Sequence, residues 1–276
     1  LFRSEFVEPV SYVKVPCEHM VRIAPVRGTS QMLSLEHRVL TYMEDKFFEQ
    51  SAESFMQELY KKGPNHLHKK FMTACKVSGG SPSGLNEAQM RLQVVFVADG
   101  HMPGDSSTSK GTVRLKKTRK IERLHKLLQD SQTPYRYRVQ PSTGFTIFRF
   151  TPPLHIKEFP AEWHSLPQQE LCWLGDEAVY WDGSFDPRPS SGRRFSSMSQ
   201  TSASIVRLAW AALGASTSMG YSEHGGYVVH ASLKQLVGPG RKKSVSIVPA
   251  PDGFKYCFTV PSTFLYLRHN GYPFAT

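Results

Sequence analysis

Asn86-Glu-Ala-Gln-Met-Arg-Leu-Gln-Val-Val-Phe-Val-Ala-Asp99-Gly100 and Asp176-Glu-Ala-Val-Tyr-Trp-Asp182-Gly183-Ser184 each run through apolar residues to a terminal Asp-Gly. An aspartate at the C-terminal end of a helix faces the negative end of the macrodipole, where an acid is locally unfavourable. A single Asp-Gly reads equally well as a helix stop, with glycine supplying a left-handed residue after the last turn. Two of them, 83 residues apart (182 − 99), point instead to a repeated unit.

Outward from these stretches the same order of elements occurs twice. Hydrophobic periodicity predicts a helix over 85–99, a strand over 112–117, a helix over 118–128 and a hairpin from 135–140 and 145–150. In the second copy it predicts a helix over 166–182, a strand over 194–198, a helix over 201–213 and strands over 216–222 and 227–231. Breaks rich in Gly, Pro and Ser at 78–84 and 237–240 bound the repeated region. The expected domains are therefore 1–77, 84–236 (halves 84–153 and 160–236) and 240–276.

The 276-residue chain carries 34 Lys and Arg against 23 Asp and Glu, a formal charge of +11, with 39% hydrophobic residues. That hydrophobic content excludes a disordered chain. No run approaches the roughly 20 apolar residues of a membrane span. The N-terminus lacks the pattern of a secretory signal, and a cytoplasmic location is expected. The missing initiator Met suggests an excised or processed piece. The four cysteines are scattered, so neither a zinc site nor a disulfide framework follows from their spacing.

Residues 110–150 hold 11 of the Lys and Arg and only two acids, Glu122 and Asp130. Arg114 and Lys116, then Arg136 and Arg138, sit at alternate positions, which places them in rows on one sheet face. So dense a cationic row suits a phosphate backbone, and double-stranded DNA is the expected partner. If the two apolar helices lie side by side, Asp99 and Asp182 converge, and two adjacent carboxylates need cations to ionise. A divalent metal supplies them and can activate water on a phosphodiester; hard oxygen donors favour Mg²⁺, with Mn²⁺ as a substitute.

Residues 91–101 (Arg-Leu-Gln-Val-Val-Phe-Val-Ala-Asp-Gly-His) and 174–184 (Leu-Gly-Asp-Glu-Ala-Val-Tyr-Trp-Asp-Gly-Ser) resemble the motifs of two-motif LAGLIDADG homing endonucleases. Arg119-Lys-Ile-Glu-Arg-Leu124 and Arg194-Phe-Ser-Ser-Met-Ser199 add to the resemblance, which covers roughly 84–236. It implies an α+β fold with a pseudo-symmetric pair of αββαββα halves, acting as a monomer on DNA. It implies Asp99 and Asp182 as catalytic metal ligands, one for each strand's scissile phosphate, with the backbone carbonyls of Ala98 and Trp181 as further contacts. It also implies cleavage with short 3′ overhangs. DNA contacts would come from Arg114, Lys116, Arg119, Lys120, Arg136, Arg138, Gln140, Arg149, Arg194 and Ser196. An auxiliary lysine is expected near the site, with Lys116 and Lys234 as candidates. Val94 and Glu177 stand where the family usually has a small residue, and Trp181 is bulky.

The chain ends resemble the halves of an intein splicing domain, an all-β Hint fold interrupted by the endonuclease. Ser34-Leu-Glu-His37 resembles its Thr-x-x-His block, implying that His37 polarises the upstream junction. Splicing itself needs an N-terminal Cys or Ser and a terminal Asn; Leu1 and Thr276 confine that expectation to a longer precursor. His269-Asn270-Gly271 reads as a hairpin turn. Residues 43–62 read as an amphipathic helix around Phe47, Phe48, Phe55, Met56 and Leu59. His66 and His68 read as linker histidines. The functions expected are a homing endonuclease first, a DNA-binding element without nuclease activity second, and a splicing domain with a passenger nuclease third.

Overall fold

The computed structural model describes residues 3–23, 30–62, 69–74, 76–103, 109–185, 192–232, 236–238, 244–261, 265–269 and 272–275. The fold is mixed α+β and divides into two compact units. One contains Leu1–Ser78, Ala211–Met219 and Ala231–Thr276; the other contains Gly79–Trp210 and Gly220–His230.

The chain begins with strands β1 (Arg3–Glu5), β2 (Ser11–Pro16), β3 (His19–Ile23), β4 (Gln31–Ser34), β5 (Arg38–Met43) and β6 (Lys46–Ser51). Helix α1 (Ala52–Lys62) and short strands β7 (Phe71–Met72) and β8 (Lys76–Ser78) follow. The helix expected over 43–62 is therefore only its second half. Residues 46–51 pair instead with 38–43, Thr41 opposite Phe48 and Tyr42 opposite Phe47. Adjacent Phe47 and Phe48 satisfy strand alternation, and Glu44 and Asp45 supply the two positive φ values of a tight hairpin turn. α1 then starts where Ser51 Oγ accepts the Ser54 N–H at 3.1 Å.

The middle of the chain, from 87 to 232, holds the duplicated order. First come α2 (Glu87–Asp99), β9 (Gly100–His101), β10 (Gly111–Leu115), α3 (Thr118–Asp130), β11 (Tyr135–Gln140) and β12 (Phe145–Phe150). A 3₁₀ turn (Ala161–Ser165) leads to α4 (Gln168–Trp181), β13 (Gly183–Phe185), β14 (Arg193–Ser197), α5 (Gln200–Ala212), β15 (Ser216–Tyr221) and β16 (Tyr227–Ser232). Each copy forms a four-stranded sheet, ordered β9-β10-β12-β11 and β13-β14-β16-β15. Numbering the strands of each copy one to four, both sheets run 1-2-4-3, so the repeat extends from element order to sheet topology.

Strands β17 (Leu236–Val237), β18 (Val245–Pro249), β19 (Phe254–Thr259), β20 (Tyr266–His269) and β21 (Tyr272–Ala275) complete the chain. β18 pairs with β3, β19 with β2 and β17 with β7, so strands near the C-terminus close onto strands near the N-terminus. Val21, Ile23, Leu33, Phe55, Leu59, Phe71 and Val245 form their shared core. α1 contributes two of these residues and is a core element of this unit, so the unit is not all-β. Asn270 and Gly271, His66, His68 and Cys75 lie outside the described residues.

α2 opens with a capping box: Asn86 Oδ1 accepts the Gln89 N–H at 2.9 Å, and Gln89 Oε1 accepts the Asn86 N–H at 3.1 Å. Met90 and every residue from Leu92 to Val97 are buried, which marks a helix enclosed on all sides. Gly100 is not left-handed, as a simple helix stop requires; its φ is −78°. Glycine is needed there for close approach, because a Cβ would strike the Phe96 carbonyl and ring. Gly111 meets the same ring, and Phe96 lies edge-on to Phe150 at 6.1 Å. At Gly183 a Cβ would lie 2.5 Å from Val179 Cα.

Candidate active site

α2 and α4 pack along each other, and each ends at an aspartate. Asp99 closes α2 and Asp182 follows the last residue of α4. Burial pushes the Asp182 carboxyl above the usual aspartate range, and the Asp99 charge adds to that; Lys120 and Lys157 oppose it. The two carboxylates thus lie within one electrostatic neighbourhood, with two ammonium groups facing them. Lys120, in the first turn of α3, donates to Asp99 Oδ2 at 2.5 Å and lies 5.3 Å from the Trp181 ring centroid. Lys157, from the linker between the repeats, donates to the carbonyl of Ala98 at 3.3 Å and to that of Gly100. Burial lowers its pKa, while Asp182 and Asp99 pull the other way.

The linker that carries Lys157 is fixed from below by Gln93, a fully buried amide in α2. Gln93 Nε2 donates to the Ile156 carbonyl at 2.9 Å, and its Oε1 accepts the Leu154 N–H at 3.1 Å. Beyond the lysine, Ser199 Oγ donates to Glu158 at 2.6 Å and Phe159 N–H donates to Ser202 Oγ at 3.0 Å. Phe159 then stacks on Trp163.

Glu177 is 1% exposed and makes a different kind of centre. Its carboxylate accepts from Arg91 at 3.1 Å, twice from Arg123 at 3.1 and 2.5 Å, and from Trp181 Nε1 at 2.8 Å. The Glu177 bond raises the Arg123 pKa, against the lowering effect of burial. Four donors satisfy a charge that burial alone would make costly. The large residue at this motif position is thus accommodated by a polar knot that ties α4 to α2 and α3, and Trp181 is part of it. Elsewhere on α4, Trp210 Nε1 of α5 donates to the Gly175 carbonyl at 2.8 Å.

Register explains the cationic surface. Across the first sheet, Arg136 lies opposite Arg149, which lies opposite Thr112; Arg138 lies opposite Ile147, which lies opposite Arg114. Arg114, Arg136, Arg138 and Arg149 therefore share one face, and all four are exposed. The alternate positions Val113, Leu115, Phe148 and Phe150 are buried beneath. Arg114 lies 5.2 Å from the Phe145 ring centroid. The second sheet differs. Arg194, opposite Ser184, and Ser196 are exposed, while Arg193 pairs with Asp176 at 3.4 Å. His230 is lowered in pKa by burial and by neighbouring Arg194.

Of the expected DNA-contacting residues, Arg114, Lys116, Arg136, Arg138, Arg149, Arg194 and Ser196 are exposed and Gln140 is half-buried. Lys120 is instead bonded to Asp99. Arg119 is engaged with Tyr180, donating to its carbonyl at 3.3 Å with the ring 4.9 Å away. The lysines that face the aspartates are Lys120 and Lys157 rather than Lys116; Lys234 lies outside the described residues. Lys157, Gln93 and His230 were missed by sequence reasoning. The only signal for Gln93 was a polar residue inside an apolar helix run.

In the other unit, Ser34 ends β4 and is buried; His37 N–H donates to the Ser34 carbonyl at 3.0 Å, closing the turn into β5. Burial, then neighbouring Arg38, lowers the His37 pKa. The His37 carbonyl accepts the Ala52 N–H at 2.8 Å, which seats the start of α1.

Among the described residues no group of three or more His, Cys, Asp or Glu side chains gathers at one point. Mg²⁺ does not need such a cage, since one or two carboxylates with waters and substrate phosphate suffice. Asp99, Asp182 and the carbonyls of the last helical turns are hard oxygen donors of that type.

No family model and no curated protein sequence matches the chain. Among solved structures, the homing endonuclease I-DmoI in complex with DNA and Mn is similar at 12% identity and a TM-score of 0.41, covering 53% of this chain and 90% of that one. A structure of mesophilic I-DmoI variants gives 12% identity and a TM-score of 0.42, over 53% and 89% of the two chains. The N-terminal LAGLIDADG domain of WhiA gives 13% and 0.38, over 54% and 78%. Among the described residues, no helix is long and apolar enough to cross a membrane.

Proposed function

We propose that this chain is a site-specific DNA endonuclease of the LAGLIDADG homing type, which hydrolyses one phosphodiester on each strand of a long duplex target. The observation that carries the reading is the pair Asp99 and Asp182, set at the ends of two packed helices and faced by Lys120 and Lys157. The arginine face of the first sheet supports a duplex partner, because its cations have the density and exposure that a phosphate backbone requires. A monomer acting as a pseudo-dimer accounts for two repeats with one aspartate each.

Asp99 and Asp182, with the Ala98 and Trp181 carbonyls, would hold Mg²⁺ or Mn²⁺. The metal would supply an activated water and stabilise the leaving oxygen. The protein's own residues do the rest. Lys120 holds the Asp99 carboxylate in place, the Glu177 knot fixes α2, α3 and α4 against one another, and the arginines hold the duplex in register. Incubation with a plasmid carrying the uninterrupted host junction tests this. A metal-dependent double-strand cut with short 3′ overhangs, absent in EDTA and in Asp99→Asn, is expected. Salt-sensitive binding with no cut in either metal would favour the DNA-binding element without nuclease activity.

A second reading, splicing in a longer precursor by a Hint-like unit with Ser34 and His37, is favoured by the pairing of β18 with β3 and β19 with β2. That pairing joins the segments before and after the central unit. Restoring both junctions should yield a ligated host product, lost in His37→Ala.

A further inference from the structure

Lys157 reaches the end of α2 beside the aspartate pair. Its ammonium group bonds the carbonyls of Ala98 and Gly100 on either side of Asp99, and it lies in the field of both Asp99 and Asp182. The Ala98 carbonyl is one of the oxygens assigned above to the metal. Lys157 is itself exposed, but the linker that carries it is anchored. Its linker is held by both functional groups of Gln93, which is buried without solvent contact, and by Ser199 and Ser202 on its far side. His155, two residues earlier, takes a left-handed φ of 53°, a conformation costing about 1 kcal/mol or more in a residue other than glycine. A buried amide and a strained backbone residue are thus both committed to one linker geometry.

Charge arithmetic gives this placement a consequence. Two carboxylates and two ammonium groups sum to zero, so the site is electrically complete without metal. Adding a divalent cation alone leaves an excess of +2 against the two lysines, and the cation meets a carbonyl already bonded. Anionic phosphate from a duplex restores the balance. We propose that Lys157 is a tethered counter-cation that keeps divalent metal out of the Asp99–Asp182 site until DNA phosphate arrives, so that metal and DNA bind cooperatively. This rests on the metal-binding part of the nuclease reading and goes beyond it: it assigns Lys157 the coupling of metal to DNA, and Gln93 the positioning of Lys157.

The test measures Mn²⁺ binding to the full chain in the absence of DNA, by calorimetry and by the loss of the free-ion paramagnetic resonance signal. Wild type, Lys157→Met, Lys157→Arg and the double variant Lys157→Met with Asp99→Asn are compared, each first shown to melt like wild type. Lys157→Met should bind Mn²⁺ at least about tenfold more tightly than wild type, since a like charge is removed a few ångströms from the ion. Lys157→Arg should behave like wild type, and the double variant should lose the gain. Equal or weaker Mn²⁺ binding by Lys157→Met, including none at all, overturns the proposal. So does a gain that survives Asp99→Asn. The nuclease reading fails on a separate measurement, cleavage by wild type in Mg²⁺, so either can fall while the other stands.

Discussion

Replacing Arg114, Arg136, Arg138 and Arg149 together with Gln removes four charges from one face of the first sheet while leaving the buried face untouched. The magnitude follows from the register. The four lie in two rows across β10, β12 and β11, all exposed, and among the described residues no carboxylate pairs with any of them. Each phosphate neutralised on duplex DNA contributes about −0.9 to the slope of log affinity against log salt. Four such contacts give about −3.6, which over a rise from about 50 to about 200 mM salt is roughly a 150-fold loss of affinity. The quadruple variant should therefore bind duplex DNA with a slope shallower by about 3.6, and Arg194→Gln alone with one shallower by about 0.9. Fluorescence anisotropy with a labelled duplex across a salt series reads both slopes. A quadruple variant whose slope moves by less than about 1 would mean that this face does not meet phosphates.

Glu177→Ala removes the acceptor shared by two arginines and an indole N–H in a nearly closed site, leaving Arg91 only Glu87 and the Trp173 carbonyl; a loss of about 3 to 5 kcal/mol is expected in urea melts, and a loss under about 1 would contradict the knot. Asp182 has its pKa raised in the fold, so the folded chain holds that proton more tightly than the unfolded chain does. The stability this lends is complete at low pH and is lost as pH rises through the folded value. In chelator, Asp182→Asn should therefore gain in melting temperature relative to wild type as pH rises above the ordinary aspartate value of 3.8; a difference that stays constant with pH would count against the site's electrostatics. Glu58 is the opposite case: burial raises its pKa, but bonds from Lys69 and Lys62 prevail and leave it at about 2. Its stabilisation is present above the ordinary value of 4.5 and fades as pH falls through about 2. Glu58→Gln should cost about 2 kcal/mol at neutral pH after allowance for solvent screening, and the gap to wild type should close in acid.

Elements whose side chains alternate or recur locally could be read directly from the sequence. Tyr-Arg-Tyr-Arg-Val-Gln and Phe-Thr-Ile-Phe-Arg-Phe occupy β11 and β12 over the residues expected, because charge and aromatic alternation is itself the strand pattern. The duplicated order of helices and strands, from two Asp-Gly ends, anticipated two sheets of like topology. What could not be read depends on residues far apart in the chain. Gln93 finds its partners 61 and 63 positions away, and Glu177 finds Arg91 86 positions away. Periodicity therefore registers both only as polar intrusions on buried helices. Lys157 lies in a linker with no repeating pattern, so its place beside two aspartates follows only from the linker's anchors. The misread first half of the 43–62 helix has a local cause. Phe47 and Phe48 suit either period, and a two-residue turn at Glu44 and Asp45 decided for the hairpin.

In the nuclease proposed above, each aspartate serves one strand. Its most direct test is single-strand cleavage on a duplex target labelled differently on its two strands, in Mg²⁺, with wild type, Asp99→Asn and Asp182→Asn. Wild type should cut both strands, and each variant should lose cutting of a different strand by at least about a hundredfold while binding the duplex as tightly as wild type. Undiminished cutting of both strands by either variant, or no cutting by wild type on the uninterrupted host junction, would contradict the account.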